Sequence, residues 1–431
     1  MVPFIDLQFW LLAVILITAY SSASVLLPAS APVRTWLYGS DKTANTLSEG
    51  GIIARNLLMI CTSVLILVLA HSDNLIVLIP LTSLVYWTGK KLVTLPKERA
   101  FRLCVPVIIF LVIFLCFYKY SGLQLLLKRA IVNIVSAHES ENVLILVGVS
   151  YFSFKFIHFL IECYNKKIKN LDFLTFFNYI LFFPSFFSGP VNRYNQFSED
   201  INNSSLSIDY VGGIRRIIEG LFKKVVLCGF LMPYKSIELG NPSLTRTQVI
   251  LGVYAYMLFL YFDFSGYTDM AIGTGRLVGI NLPENFNNPF FKKNLQQFWA
   301  NWHMSLTSWL TDYIYWPLAR KTRNIQTLRT RPILSANICI ILTFAVCGIW
   351  HGNTINFLFW GLYHGAGLSI FNFYTSFRRK HFSQKWKRSV TPSWYARVAS
   401  TLLTFHFVAF GFLFFFCDLN QIGRLWRLFA P

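Results

Sequence analysis

Long apolar runs, separated by short loops rich in lysine and arginine, dominate this sequence of 431 residues. A helix needs about 20 apolar residues to cross the hydrocarbon core of a membrane. Because 55% of the residues are hydrophobic, the length allows roughly ten to twelve such helices. The pattern predicts an all-α, polytopic membrane protein. Candidate crossings in the first part of the chain are 7–27, 52–70, 74–89, 102–120 and 143–162.

The formal net charge of +20 has two explanations, nucleic-acid binding and the retention of basic loops on the cytoplasmic face. The basic residues lie in short loops between apolar runs, which favours the second explanation and indicates no nucleic-acid partner. Four such loops are predicted to be cytoplasmic: 90–102, 163–170, 320–331 and 378–388.

The loops at 320–331 and 378–388 are separated by two apolar runs, 333–350 and 354–377. Two crossings return the chain to the same face, so the turn between them, at His351, is predicted to approach the outer face. The first run carries no lysine or arginine before it, and we interpret it as a retained crossing rather than a cleaved leader.

The middle of the chain is less regular. The run 173–187 contains Pro184 and ends in a Gly-Pro pair, and such irregular backbone is tolerated at membrane depth only where protein or water covers it. Segment 211–232 mixes charged with apolar residues, which is typical of an interfacial or re-entrant amphipathic helix.

Two histidines stand in apolar surroundings and are the best candidates for chemistry. His303 lies beside a stripe at helical spacing formed by Trp299, Trp302, Leu306 and Trp309. His351 ends an apolar run, where Gly352 is predicted to let the chain change direction. A membrane histidine is costly and usually faces a partner or a cavity, and a neutral imidazole can take a proton from a hydroxyl. We interpret His364, His138, His158 and His406 as structural.

Two carboxylates, Asp263 and Asp269, also lie in an apolar stretch, and we interpret them as structural partners of Arg276 or of nearby backbone. Gly273, Gly275 and Gly279 resemble a broken dinucleotide fingerprint, but no strand precedes them, so close helix packing is the better interpretation. The eight cysteines include no CxxC pair, and the histidine spacings match no zinc signature, so no metal site is predicted.

Five long stretches, taken together, resemble the bacterial branch of the membrane-bound O-acyltransferase (MBOAT) family, the DltB/AlgI-like branch of D-alanyl-teichoic-acid and alginate O-acetylation proteins. The matching stretches are FFPSFFSGPVNRYNQF (182–197), YFDFSGYTDMAIG (261–273), LPENFNNPF (282–290), FWANWHMSLTSWLTDYIYWPL (298–318) and GIWHGNTINFLFWGLYHG (348–365).

The resemblance implies a single integral-membrane domain over 1–431, with its core motifs at about 173–377, in the bacterial cytoplasmic (inner) membrane. It implies a ring of about 11 transmembrane helices around a thin central region with a funnel. His351 corresponds to the family's principal histidine and His303 to its second, and both are expected to be catalytic. Further candidates for contacting substrate are Trp302, Trp350, Asn301, Asp263 and Arg193.

The resemblance further implies a thioester acyl donor, either an acyl carrier protein or acyl-CoA, on the cytoplasmic side, and no bound cofactor. The acceptor is a hydroxyl of an extracytoplasmic polysaccharide or teichoic-acid-like polymer, reached directly or through a partner acyltransferase in the presence of membrane lipids. Asn192 stands where the D-alanyl branch is expected to have Asp, which leaves the acyl group open between D-alanyl and acetyl.

Two rival interpretations remain at this stage. A transporter or channel would use the membrane carboxylates and histidines for proton coupling, and would show inverted repeats, which we do not find. A scaffold would only pass acyl groups to a partner transferase; the histidine pair argues against a purely structural role.

Overall fold

The computed structural model of the chain describes residues 49–71, 73–125, 146–168, 171–202, 208–235, 244–381 and 393–429. Within these ranges the regular elements are helices, and one isolated bridge joins Phe286 to Trp302. The crossing predicted at 7–27 and the structural assignment of His138 lie outside the described residues.

The described residues form two compact units. The first comprises those up to Leu221 together with Tyr267–Pro283, and the second comprises Phe222–Gly266 together with those from Glu284 onward. The helices of the first unit are α1 Glu49–His71, α2 Asp73–Thr94, α3 Lys97–Lys119, α4 Val149–Tyr164, α5 Phe173–Leu181, α6 Tyr194–Asn202 and α7 Tyr210–Leu221.

A π-helical segment, Phe222–Leu227, continues α7 into the second unit, and one long helix, α9, contributes residues to both units. The helices from here onward are α8 Cys228–Lys235, α9 Arg246–Leu277, α10 Leu295–Trp299, α11 Met304–Leu310, α12 Trp316–Thr322, α13 Gln326–Arg329, α14 Pro332–His351, α15 Ile355–His381, α16 Trp394–Phe416 and α17 Leu419–Phe429.

Five helices of the described part are long and apolar enough to cross a membrane: α2 from Leu75 onward, α3, α9, α14 and α16. They bear out the prediction of a polytopic, all-α membrane protein. Helix α4 has only 16 residues and is almost entirely buried, so it spans about 24 Å, less than the roughly 30 Å of a hydrocarbon core. The crossing at 143–162 therefore stays a prediction.

The break predicted near Pro184 is present. Helix α5 ends at Leu181, Pro184 sits in a 3₁₀ turn, and the chain then runs without regular structure to Arg193. The buried ammonium of Lys155 donates hydrogen bonds of 2.9 Å to the Tyr179 carbonyl and the Ser185 hydroxyl. This irregular backbone is therefore covered and hydrogen-bonded by protein, as its place in an apolar chain requires.

Small residues bring α7 and α9 close together in the first unit. A Cβ added at Gly273 would lie 2.6 Å from the Gly213 carbonyl oxygen, closer than a side chain can approach. Gly273 thus serves helix packing, as the sequence predicts, whereas Gly279 lies beyond the end of α9 with a φ of 75°. A helix and not a strand precedes these glycines, unlike in a dinucleotide fingerprint.

Candidate active site

The aromatic stripe around His303 is buried, but it does not lie on one helix. Sequence spacing predicts a continuous helix through Trp299 and Trp309, whereas the structure ends α10 at Trp299 and begins α11 at Met304. The prediction of a single helix is therefore wrong. Its physical cause is the preceding segment, whose Phe286 forms a bridge with Trp302 and takes that residue out of helical pairing.

Asn285 fixes the break. Its carbonyl oxygen accepts a hydrogen bond from the Met304 backbone N–H (3.0 Å), and its side-chain oxygen accepts from the Ser305 backbone N–H (3.2 Å) and hydroxyl (2.6 Å). These contacts satisfy N–H groups that begin α11 and would otherwise have no intrahelical acceptor. Asn285 is fully buried, and it determines where His303 is placed.

His303 adopts a left-handed backbone conformation, with φ 44° and ψ 52°. This conformation costs most L-residues roughly 1–2 kcal/mol, and strain of this kind often occurs at functional sites. The imidazole is 3% exposed and packs edge-on against Phe264, with ring centroids 4.6 Å apart. Its Nε2 has no hydrogen-bond partner among the described residues, so it is available to a ligand.

His303 lies outside the five candidate crossings, and burial lowers the pKa of its imidazole to about 3. The side chain is therefore neutral at physiological pH. A neutral imidazole can accept a proton or donate a hydrogen bond, and both are useful in acyl transfer.

His351 is the last residue of α14, at the turn of the hairpin formed with α15. Gly348 and Gly361 allow the two helices to touch, because a Cβ on either would collide with a carbonyl oxygen of the other helix. Gly352 has an extended backbone (φ −158°), so the predicted need for glycine flexibility is wrong there. A side chain at that position would instead collide with the Phe357 ring.

One indole lies near both histidines. The Trp350 ring centroid is 4.8 Å from that of His351 and 6.5 Å from that of His303. The structure thus brings together three of the residues that the sequence singles out, although 48 positions separate the two histidines in the chain. His351 itself is half-buried between Trp350, Trp360 (4.9 Å) and Phe415 (5.2 Å).

A third histidine adjoins this pair. Trp360 contacts His351 on one side and His364 on the other, where the ring centroids are 5.1 Å apart. His364 is 1% exposed, also packs against Trp299, and has an Nδ1 without a partner in the described part of the chain. Sequence reasoning missed Trp360; the i, i+4 spacing of Trp360 and His364 on α15 is the signal that predicts their contact.

Two of the other residues predicted to contact substrate have partners within the protein. Trp302 is buried against Phe286, Phe298 and other rings. The Asn301 side chain donates a 2.7 Å hydrogen bond to the Gln297 carbonyl and so caps the C-terminal end of α10.

The carboxylates of α9 have partners other than the predicted one. Asp263 forms an ion pair with Lys224, and Asp269 accepts a 2.7 Å hydrogen bond from Arg216. The prediction that Arg276 would pair with either is wrong, because Arg276 lies 3.6 Å from Asp209 instead. A structural role for both carboxylates fits these contacts, since Arg216 comes from α7 and Lys224 from the π-helical segment that continues it.

Arg193, also predicted to contact substrate, belongs to the first unit. Its guanidinium lies 3.5 Å from Nδ1 of the buried His158, whose Nε2 accepts a 3.0 Å hydrogen bond from the Tyr194 backbone N–H. His158 therefore stabilises, through this hydrogen bond, the point where the irregular segment ends and α6 begins, which is a structural role.

No metal site is apparent in the described residues, where no three His, Cys, Asp or Glu side chains are close enough to hold an ion. The eight cysteines are free. A neutral imidazole such as that of His303, lying near an indole, can exchange protons with a substrate.

These features define an all-helical protein with candidate membrane crossings, in which His303 and His351 lie near one indole. The chain belongs to the MBOAT, membrane-bound O-acyltransferase, family, whose sequence profile matches residues 56–407. This bears out the resemblance drawn from the sequence and classifies the chain as an O-acyltransferase.

Relatives in this family act on different polymers, as their names state. The chain is 33% identical to the teichoic acid D-alanyltransferase of Bacillus subtilis over 64% of its own length and 70% of that protein's. It is 32% identical to the probable alginate O-acetylase AlgI of Azotobacter vinelandii, covering 73% of the chain and 63% of the relative. A Helicobacter pylori peptidoglycan O-acetyltransferase is 29% identical over 69% of the chain and 59% of its own length.

Proposed function

We propose that the chain transfers an acyl group, D-alanyl or acetyl, across the membrane from a cytoplasmic thioester to a hydroxyl outside. The donor is an acyl carrier protein or acyl-CoA, and the acceptor is a polysaccharide or teichoic-acid-like polymer, reached directly or through a partner acyltransferase. The observation that carries this proposal is that one indole, Trp350, lies near both His303 and His351, with His351 at the turn of the α14–α15 hairpin.

His351 acts as the general base in this proposal. Its imidazole takes the proton of the acceptor hydroxyl while the oxygen attacks the thioester carbonyl carbon, which forms a tetrahedral intermediate. The C–S bond then breaks, the thiolate leaves with the proton from the imidazolium, and an ester remains on the acceptor. The aromatic walls formed by Trp350, Trp360 and Phe415 exclude water, which would otherwise hydrolyse the thioester.

His303 has a supporting role in the same step. Burial keeps it neutral, so its free Nε2 can hold a hydrogen bond to the reacting carbonyl or to the acceptor without carrying a charge of its own. Trp350 lies near both imidazoles, with its ring centroid 4.8 Å from that of His351 and 6.5 Å from that of His303.

The setting that we propose is a multi-pass protein of the bacterial cytoplasmic membrane, with about 11 transmembrane helices ringed around a thin centre. This geometry gives a cytoplasmic donor and an outer acceptor access to one site. The transporter alternative is less well supported, because the carboxylates that it needs for proton coupling are held in ion pairs with Lys224 and Arg216.

The test uses the full chain in proteoliposomes, supplied with D-alanyl and acetyl thioesters in separate assays and with an acceptor polymer or partner on the opposite face. We expect His351→Ala to lower the transfer rate by roughly 10²–10⁴-fold, the usual effect of losing a general base. His381→Ala, which removes an exposed histidine near the end of α15, is the matched control and should be unaffected. Transfer at the native rate by a well-folded His351→Ala protein contradicts the assignment.

A further inference from the structure

A groove in the second unit is lined by none of the residues that contact His303 or His351. It has a volume of about 410 Å³, within the range of small-molecule sites, and is bounded by the first turns of α9, the second half of α16 and the apolar face of α17. Its walls are apolar, and representative lining residues are Ile250, Val253, Phe410, Leu413, Leu425 and Trp426.

Helix α17 closes the groove with one face and presents charge on the other. Ile422, Leu425, Trp426 and Phe429 recur at helical spacing and line the groove, whereas Arg424 and Arg427 lie on the opposite face. Trp426 is 76% exposed despite lining the groove. An amphipathic helix with a tryptophan on its apolar face and arginines on its polar face is typical of one lying at the membrane–water interface.

A guanidinium lies next to residues that line the groove. Arg246 precedes Val249 and Ile250 by one helical turn, so it shares their face of α9. Its Nε donates a 2.9 Å hydrogen bond to the Leu428 carbonyl near the end of α17. Within the described ranges its two terminal nitrogens have no hydrogen-bond partner, and they remain available to an anion.

The apolar walls, the amphipathic helix α17 and the neighbouring guanidinium together match a ligand with an apolar tail and a negatively charged group at the membrane interface. We propose that this groove binds one anionic phospholipid, whose acyl chain lies between α9, α16 and α17 and whose phosphate binds Arg246. Arginine suits this role because its fork of N–H groups matches phosphate geometry while one nitrogen stays anchored.

The experiment titrates the delipidated full chain in detergent with phosphatidylglycerol or phosphatidylcholine and counts bound lipids by native mass spectrometry. We expect one phosphatidylglycerol to bind about tenfold more tightly than phosphatidylcholine, the effect of one charge-assisted hydrogen bond. Arg246→Gln should remove this preference and leave phosphatidylcholine binding unchanged. Arg329→Gln, which neutralises an exposed arginine elsewhere, is the matched control and should keep it.

A second pair of variants tests the apolar walls. Leu413→Trp fills the groove and should weaken the binding of both lipids at least tenfold, whereas Leu403→Trp, on an exposed part of the same helix, should leave it unchanged. Equal affinity for the two lipids, or affinities that neither Arg246→Gln nor Leu413→Trp alters, would show only a nonspecific lipid annulus. A chain that binds neither lipid would point to a partner helix in the groove. Either result overturns the proposal.

Discussion

The left-handed backbone of His303 allows the effect of backbone strain to be measured separately from the effect of losing the imidazole. Asparagine tolerates the left-handed region better than most residues, whereas alanine does not. His303→Asn and His303→Ala therefore remove the same imidazole but differ in backbone strain.

We predict that both variants lose acyl transfer by a similar factor. Only His303→Ala should also lose about 1 kcal/mol of stability, because alanine has no local way to compensate the positive φ. Transfer rates and thermal unfolding of the two proteins provide the measurement. If His303→Asn keeps full activity, the imidazole has no part in the reaction and only the break between α10 and α11 matters.

Burial of His303 also predicts a dependence of stability on pH. The folded imidazole has a pKa of about 3, below the unfolded value of about 6.5, so between these values the unfolded chain binds the extra proton. The contribution of His303 to stability is fully present above about pH 6.5 and is lost as the pH falls toward 3, by up to about 1.4 kcal/mol per pH unit.

The measurement compares the thermal unfolding of the native chain and His303→Asn between pH 7 and pH 5. We expect the native chain to lose more stability than the variant over this interval. Parallel curves would mean that the imidazole is solvated in the folded protein.

At the scale of elements, the α14–α15 hairpin is the part that the sequence predicts best. The apolar runs 333–350 and 354–377 correspond in extent to Pro332–His351 and Ile355–His381, and the first of these helices is also a candidate crossing. The pocket around His303 is harder to predict. Its key contact, from Asn285 to Ser305, joins residues 20 apart, and local spacing favours an unbroken helix there.

Which charged residues of different helices form ion pairs is equally hard to predict from the sequence. Asp263 pairs with Lys224, 39 residues earlier, although Arg276 is nearer in the chain. That choice depends on how α9 packs, which no local pattern records. Periodicity and composition therefore predict which residues are buried, but not which of them touch.

Glycine packing gives a prediction that differs between two positions, one in the α14–α15 hairpin and one in α8. Gly361→Ala should destabilise the protein by roughly 1–3 kcal/mol, because the added methyl group collides with the Phe344 carbonyl oxygen. Gly229→Ala, in α8 where a Cβ meets nothing within 4 Å, should be neutral or stabilise by about 0.5–1 kcal/mol through helix propensity.

Thermal unfolding in detergent measures both effects, and transfer rates show whether the hairpin still presents His351. A Gly361→Ala protein as stable as the Gly229→Ala protein would contradict the close approach of α14 and α15.

At the scale of the whole molecule, the proposed reaction requires that the donor and the acceptor reach the protein from opposite faces of the membrane. The basic loops 320–331 and 378–388 flank the hairpin, and both are predicted to face the cytoplasm. The turn that follows His351 should then approach the outer face, where Asn353 and Thr354 are exposed. The proposed mechanism then has the base meet the acceptor from outside while the thioester stays inside.

Cysteine accessibility in intact cells tests this central claim most directly, in a background from which the eight native cysteines are removed. Arg323→Cys and Arg379→Cys should react with a membrane-impermeant thiol reagent only after the membrane is permeabilised. Asn353→Cys should react with a small reagent added from outside. Labelling of Arg323→Cys and Asn353→Cys from the same face would contradict transfer across the membrane at this site.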